Sequence, residues 1–175
     1  MEACIRITKI AYGNYGTTLP PRLLDEPNTV YNDMLVVIKD DEVIGFINRK
    51  IHSKKDMEPE ILECLDKEGF EGNTYIYLNS ISILPAYRNQ GIATLLAEKM
   101  IKKIEGEYAD SIIYADIVKP PNKPSVSTEE ILKGLGFNKL TIIEDRWTEK
   151  LKSNGLICNE CGEECHCASV LMAKK

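Results

Sequence analysis

The sequence predicts an α/β fold in which a central mixed β-sheet is flanked by helices, and three observations carry this prediction. Segments with the period of strands alternate with segments of helical spacing after an opening hairpin. Apolar residues make up 43% of the 175 residues, which is enough for a sizeable core. The chain contains no internal repeat and no low-complexity segment. We therefore expect a single domain over residues 1–175.

The first half of the chain is expected to contain strands and one helical insertion. Cys4–Ile10 alternates apolar and polar residues, as a half-buried strand does. Met34–Ile38 and Val43–Ile51 lie on either side of an acidic turn and predict a hairpin. Apolar residues with helical spacing predict a helix over Pro59–Gly69. This helix would lie in an insertion over residues 53–73, between two strands.

The second half is expected to alternate strands with helices. Strands are predicted where β-branched and aromatic residues alternate, and helices where apolar residues form one stripe. A cap at Ser127 or Thr128 would begin the last predicted helix, which would end at Gly134 or Gly136. The other expected elements are a strand over Thr74–Leu84, a helix over Asn89–Glu105, and strands over Ser111–Val118, Phe137–Glu144 and Ala168–Ala173.

Charge and hydropathy argue against two classes of partner. The net charge is −5 and no Lys/Arg cluster forms a face, so we expect no nucleic-acid surface. No apolar run approaches the roughly 20 residues that a membrane helix needs. The N-terminus also lacks the basic and apolar regions of a signal peptide. We therefore expect a cytoplasmic protein without a membrane partner.

The turn before the predicted helix Asn89–Glu105 has the chemistry of an anion site. The first backbone N–H groups of a helix have no intrahelical acceptor, and the helix dipole adds partial positive charge there. Gly91 and Ala93 would let an oxygen approach the backbone, and Arg88 could add charge. Local physics leaves a second interpretation open, in which these small residues only pack against the sheet.

The same turn resembles a known family signature. Arg88–Ala93 is similar to the Gln/Arg-x-x-Gly-x-Gly/Ala motif of the GNAT acyltransferase superfamily, and Ile81–Tyr87 resembles the strand and turn that introduce it. Leu135-Gly136-Phe137 resembles the Leu-Gly-Phe that precedes a later strand in this family. The resemblance covers roughly Met34 to Glu144. It implies a GNAT-like fold whose central sheet is splayed.

The resemblance implies acetyl-CoA as cosubstrate. Backbone N–H groups at the helix start would bind the pyrophosphate, and the edge of the preceding strand would pair with the pantetheine amides. A serine stands where many family members have an asparagine that contacts the pantetheine arm. The implied CoA-binding residues are Ile81, Ile83, Arg88, Asn89, Gln90, Gly91, Ile92, Ala93, Thr94 and Ser125.

The catalytic residues of the family are only partly matched. Leu132 stands where many members have a tyrosine that protonates the leaving thiolate. The usual carboxylate on the first central strand is also missing. Matching by distance from the glycine places Tyr77 at one common base position and Asn79 on the same face. The base would therefore act through water held by Tyr77 or Asn79, or would be Asp116. For Asp116, a solvated strand-end aspartate is the interpretation that we favour over a catalytic role.

A cluster of cysteines lies in the Cys-rich loop 158–167 before the last strand. Cys158, Cys161, Cys165 and Cys167 have C-x2-C-x3-C-x-C spacing, and four thiolates can close a tetrahedral site for a structural zinc. His166 could substitute for one of them. Free thiols, a disulfide, or a thiol that acts near the acyl site are the alternatives.

These observations favour an N-acetyltransferase that moves an acetyl group from acetyl-CoA to a primary amine of a small molecule or a protein. Two other classes stay open. The missing tyrosine and carboxylate would fit a non-catalytic acyl-CoA sensor, and the cysteines would fit a metal-clipped interaction domain. A homodimer is common in the family that the motif resembles.

Overall fold

The structure, a computed structural model, describes residues 3, 6, 7, 30–122, 127–153, 157, 158 and 160–175. Its sheet has six strands in the order β1-β2-β3-β4-β6-β5. The strands are β1 (Val30–Lys39), β2 (Glu42–Ser53), β3 (Thr74–Ile83), β4 (Ile112–Lys119), β5 (Asn138–Ile143) and β6 (Ala168–Lys174). The helices are α1 (Pro59–Lys67), α2 (Ile92–Glu107), α3 (Ser127–Gly134) and α4 (Arg146–Ser153).

The sheet is mixed, as the sequence predicted. β3 and β4 are parallel, whereas the pairs β1–β2, β2–β3, β4–β6 and β5–β6 are antiparallel. The predicted acidic turn joins β1 to β2, and Asp40 and Asp41 both have positive φ, at 50° and 60°. Aspartate tolerates this conformation better than most residues, so the turn closes a tight hairpin.

The two central strands diverge beyond a short paired segment. In the described chain, the register between β3 and β4 ends at Tyr77 and Tyr114. Two residues further on, the register between β3 and β2 skips Asn79, which forms a β-bulge. A bulge bends its strand and increases the local twist. The bulge therefore turns the rest of β3 away from β4 and opens the predicted splay at the centre of the sheet.

Each face of the sheet carries its own apolar core. Helices α2 and α3 cover one face, and α1 covers the other. Burying these side chains supplies the main driving force for folding. The first core includes Ile76, Met100, Ile104, Ile113, Leu132, Val170 and Met172. The second includes Ile61, Leu65, Tyr75, Ile112, Tyr114 and Leu171.

The predicted helix after the anion turn is shifted. Helix α2 begins at Ile92 rather than Asn89, because Asn89 and Gly91 have left-handed backbone conformations with φ of 59° and 76°. It also continues through Gly106 to Glu107, where we expected it to end near residue 105. A glycine near the end of a helix costs only about 1 kcal/mol, which the packing of α2 outweighs.

Two further elements differ from the sequence-based expectations. The strand predicted over Cys4–Ile10 is wrong where it is described, since Arg6 and Ile7 are helical, and its other residues lie outside the described part. Ile7 is fully buried against Phe46, so the apolar residues that suggested a strand serve a helical contact. Helix α4 was not predicted.

No helix within the described ranges is long and apolar enough to cross a bilayer.

Candidate functional site

The turn before α2 has the geometry of an anion cradle. The first N–H group of this helix to find an acceptor is that of Leu95, which donates to the carbonyl of Gly91 at 3.0 Å. The N–H groups of the residues between them have no acceptor within the helix. A Cβ added to Gly91 would meet nothing within 4 Å, so the space beside Gly91 is open.

The polar side chains of the turn hold its shape. Arg88 donates through Nε to the carbonyl of Ile83 at 3.1 Å, and Gln90 donates to the carbonyl of Ala86 at 3.3 Å. These bonds tie the turn to the end of β3 and to the short 3-10 turn over Pro85–Tyr87. The cradle is therefore a preformed backbone site, to which the remaining guanidinium nitrogens of Arg88 can add positive charge.

A cavity of about 460 Å³ lies where β3 and β4 diverge. Its wall includes residues from both faces of the sheet and from α2, α3, α4 and the cysteine loop. The volume falls within the range of small-molecule sites. The wall is formed by Ile47, Tyr77–Ile81, Ala97, Ala115–Val118, Pro120, Ser127, Thr128, Ile131, Leu132, Trp147, Leu151, Ile157, Cys158, Glu160 and Cys165.

The cavity brings together most of the residues proposed from the sequence for chemistry. Tyr77, Asn79 and Asp116 all line it, and so does Ile81. Ile83 instead packs in the core next to α2, with 8% of its surface exposed. Ser125 lies outside the described residues.

Leu132, at the position where a tyrosine would protonate the leaving thiolate, lines the same cavity. Its side chain is buried, with 3% of its surface exposed, and belongs to the core between the sheet and helices α2 and α3. An aliphatic side chain has no proton to give. Protonation of a leaving group at this position would therefore require another group or water.

Tyr77 and Asn79 are held by neighbours on the α1 face. The ring of Tyr77 stacks on Tyr114 with centroids 5.0 Å apart. Burial raises the pKa of Tyr114, so this second tyrosine stays neutral at physiological pH. Asn79 donates to the side-chain oxygen of Asn48 at 3.5 Å, where Asn48 is fully buried. Both polar side chains are thus oriented at the bulge that opens the cavity.

Asp116 is part of a buried ion pair. Its Oδ2 accepts a hydrogen bond from Nε of Arg146 at 2.9 Å, and its Oδ1 accepts one from Ser169. The side chains of Asp116 and Arg146 are only 6% and 4% exposed. Burial opposes the charge of Arg146, but the neighbouring carboxylates outweigh burial and raise its pKa. Asp116 is therefore an ordered, paired carboxylate rather than a solvated strand end.

Arg146 also joins α4 to α1. It donates to Glu60 at 2.6 Å and to Glu58 at 2.8 Å. This helix and its arginine were not predicted from the sequence. The signal was the four-residue spacing of Trp147 and Leu151, which form the apolar side of α4 against the cysteines.

The four cysteines of the loop come together as the spacing predicted. Their Sγ atoms all lie within 4.8 Å of one another. The Sγ atom of Cys167 lies 3.7 Å from that of Cys158 and 3.4 Å from that of Cys161. Zn–S bonds of about 2.3 Å in a tetrahedron place sulfur atoms about 3.8 Å apart. The sulfur positions therefore fit a tetrahedral zinc ion.

The turn that carries the first two cysteines is closed by its backbone. Cys158 and Gly162 exchange two hydrogen bonds, of 3.0 and 2.8 Å, and Gly162 has a φ of 81° that favours glycine. Burial opposes ionisation of Cys158, but N–H groups of Glu160 and Cys161 outweigh it and lower the pKa of this thiol. Backbone donors that face this sulfur stabilise the thiolate, which is the form of cysteine that binds a metal.

His166 does not belong to this cluster. Its side chain is 65% exposed, and its Nδ1 lies 3.4 Å from Asp145 Oδ1. The expectation that it could replace a cysteine therefore receives no support from its position. Cys158 and Cys165, in contrast, line the cavity directly.

A sequence model described as the acetyltransferase (GNAT) family matches residues 2–137. This match covers well over half of the chain and includes the cradle, β3 and β4. The chain belongs to the GNAT acetyltransferase family. The residues after 137, including α4 and the cysteine loop, lie outside the match.

Solved structures share the fold. The ribosomal-protein-S18-alanine N-acetyltransferase from Escherichia coli superposes with a TM-score of 0.63 at 13% identity, over 98% of this chain and 84% of that one. Arabidopsis thaliana NAA60 in complex with acetyl-CoA gives a TM-score of 0.53 at 20% identity, over 77% of this chain and 66% of that one. At these identities the likeness establishes the fold alone.

A curated relative matches part of the chain. The Arabidopsis thaliana protein named histone acetyltransferase MCC1 is 33% identical over 82 residues, which are 47% of this chain. The matched segment is 33% of the plant protein's length. The chain thus corresponds to about a third of this relative.

Proposed function

We propose that this GNAT-family chain is an N-acetyltransferase that moves the acetyl group of acetyl-CoA to a primary amine by direct attack. The observation that carries the proposal is the cavity between the diverging strands, because the strand that lines it leads straight into the anion cradle. A molecule with a phosphate at one end and a reactive thioester at the other fits this order of sites. Family membership supports acetyl transfer from acetyl-CoA at the level of the family.

The donor would bind along β3 and the start of α2. The N–H groups of Asn89 through Thr94 would hold the pyrophosphate, because several of them have no helical acceptor. The pantetheine amides would pair with the edge of β3 near Ile81 and Ile83, as an added strand does. Ser125, before α3, would contact the same arm.

In the transfer step, the neutral amine nitrogen attacks the thioester carbon and the C–S bond breaks as the new C–N bond forms. The nitrogen loses one proton and the CoA thiolate gains one, so the products are the acetylated amine and free CoA. We assign Tyr77 and Asn79 to hold the water that carries these protons, and Asp116 to hold this edge of the site in place through Arg146. Alignment of the two reactants would supply most of the acceleration.

We also propose that Cys158, Cys161, Cys165 and Cys167 hold a structural zinc ion. The support is the close approach of the four sulfur atoms and the backbone donors that face Cys158. Elemental analysis of protein purified without added zinc, before and after a strong chelator, tests this assignment. About one zinc per chain is expected, and protein that contains no metal and keeps its full stability in chelator would refute it.

Turnover tests the main proposal. Purified protein is incubated with acetyl-CoA and a panel of primary amines while free thiol is followed, and mass spectrometry identifies the acetylated product. Acceptor-dependent release of CoA is the expected result. The sensor alternative is motivated by Leu132, which lines the cavity and has no proton to give. Tight binding of acetyl-CoA without turnover on any amine would favour this alternative. Failure to bind CoA at all would favour the metal-clipped interaction domain.

A further inference from the structure

The charged side chains in the cavity wall are all acidic. Among the described residues that line the cavity, Asp116 and Glu160 are the carboxylates, and none is lysine, arginine or histidine. Arg146, which is not part of the wall, offsets the charge of Asp116 at 2.9 Å. Glu160, the second carboxylate of the wall, lies on the cysteine loop.

The position of Glu160 is fixed by the loop that carries it. It lies between Cys158 and Cys161, inside the turn that the Cys158–Gly162 backbone bonds close. Its backbone N–H faces the Cys158 thiol, and its neighbours Cys158 and Cys165 line the cavity with it. The cysteine loop thus builds one wall of the cavity and presents a carboxylate there.

We propose that Glu160 determines acceptor specificity, by selecting amines that carry a second positive charge over amines that carry a neutral or anionic group. This inference rests on the proposed N-acetyltransferase function. A hydrogen bond between an ammonium and a carboxylate is about twice as strong as one between neutral groups. An ammonium at the far end of the acceptor would bind Glu160, whereas a carboxylate there would be repelled. Glu160 takes no part in the bond changes; it positions the acceptor.

Three matched acceptors test the proposal: putrescine, its amino-alcohol analogue and its amino-acid analogue. They share one carbon chain and end in an ammonium, a hydroxyl and a carboxylate. We expect the wild type to prefer them in that order by kcat/KM. In Glu160→Gln, the preference for putrescine over the amino alcohol should fall by about tenfold, the strength of one charge-assisted hydrogen bond. Glu160→Lys should reverse the order.

Glu163→Gln is the matched control, because Glu163 is an exposed glutamate of the same loop and does not line the cavity. It should keep the wild-type preference. Zinc content and CoA affinity, measured for every variant, should stay unchanged, which separates a specificity effect from loss of the loop's structure. An unchanged preference in Glu160→Gln, or the same change in Glu163→Gln, would overturn the proposal.

Binding separates this inference from the proposed function. Calorimetry on CoA-loaded protein measures the affinity for each of the three amines without any reaction. A preference for putrescine that Glu160→Gln removes, without turnover of any amine, would support the specificity assignment and refute the acetyltransferase. Turnover of amines without any dependence on Glu160 would do the reverse.

Discussion

The cavity has two sides that come from different parts of the chain. One side, the donor side of our proposal, is built from β3, β4, α2 and α3, inside the segment that the family model matches, 2–137. Its other side is built from α4 and the cysteine loop, all after residue 137. Backbone groups and a bulge shape the donor side. Side chains shape the other side: Arg146, which bridges two helices, and the four cysteine thiols.

The two sides differ in what determines their shape. A cradle of backbone N–H groups depends on chain conformation, so a short motif around Gly91 specifies it. A wall held by Arg146 and by the cysteines depends on contacts between distant segments, and can change without disturbing the cradle. The two sides should therefore respond separately to mutation, and the following predictions test that separation.

The largest effect is expected at the cysteine loop. Cys161→Ser removes one ligand from the proposed zinc site and should abolish metal binding, with a loss of about 5 kcal/mol in the free energy of unfolding. Cys64→Ser is the control, because Cys64 is also half-buried but lies outside the cluster. Denaturant unfolding and elemental analysis give the two readouts. Equal stability of the two variants would contradict a metal clip.

Arg146→Met should come next. It leaves Asp116 buried without its partner, and breaking such a pair lowers the free energy of unfolding by about 3 kcal/mol or more. Adding Asp116→Asn should recover part of this loss, because no unpaired charge then remains. A double-mutant cycle by urea unfolding measures the coupling. If the two effects simply add, the ion pair does not hold α4 to β4.

The donor side should be sensitive at Gly91. Gly91→Asp places a carboxylate in the cradle and should weaken CoA binding by about 100-fold, through charge repulsion and loss of space. Gly91→Asn is the matched control: it has the same shape, and asparagine tolerates a left-handed backbone. It should weaken binding much less. Calorimetry with CoA checks both variants, and unchanged zinc content in each would show that the two sides are separable.

The smallest effect concerns an ion pair that crosses between the two parts of the chain. Lys139 Nζ lies 3.1 Å from Oε1 of the buried Glu129, and Lys133 Nζ lies 3.1 Å from the same atom. Burial alone would raise the pKa of Glu129, but the two lysines outweigh it and lower this pKa below its ordinary 4.5. Ionised Glu129 therefore stabilises the fold above pH 4.5, and this contribution is lost as pH falls through the lowered pKa.

Glu129→Gln should accordingly flatten the pH dependence of stability in that acid range. The exposed Glu130 of the same helix supplies the control, and Glu130→Gln should keep the wild-type profile. Urea unfolding from pH 6 down to pH 3, the window around the ordinary glutamate pKa, measures both. A Glu129→Gln profile that matches the wild type would show that this pair does not link the two parts.

Local patterns determined the mixed α/β fold, the hairpin, the helical insertion and the anion turn. Alternation, helical spacing and turn residues each involve only a few neighbouring positions, so they can be read from the sequence alone. The same holds for the cysteine spacing and for the motif that places Tyr77 and Asn79. The predicted N-terminal strand was wrong at Arg6 and Ile7. An apolar residue can belong to a strand or to a helix, and Phe46, which Ile7 contacts, lies far along the chain.

How these elements pack together depends on contacts between distant parts of the chain. The pairing of Asp116 with Arg146 joins positions 30 residues apart, and the bond from Arg146 to Glu58 spans 88 residues. No local pattern encodes such contacts. Local residue types thus predicted an anion turn at Gly91, whereas the folded chain brought α4 and the cysteine loop to the wall of the cavity. The physical reason is that backbone conformation is a local property, while burial and ion pairing depend on the whole fold.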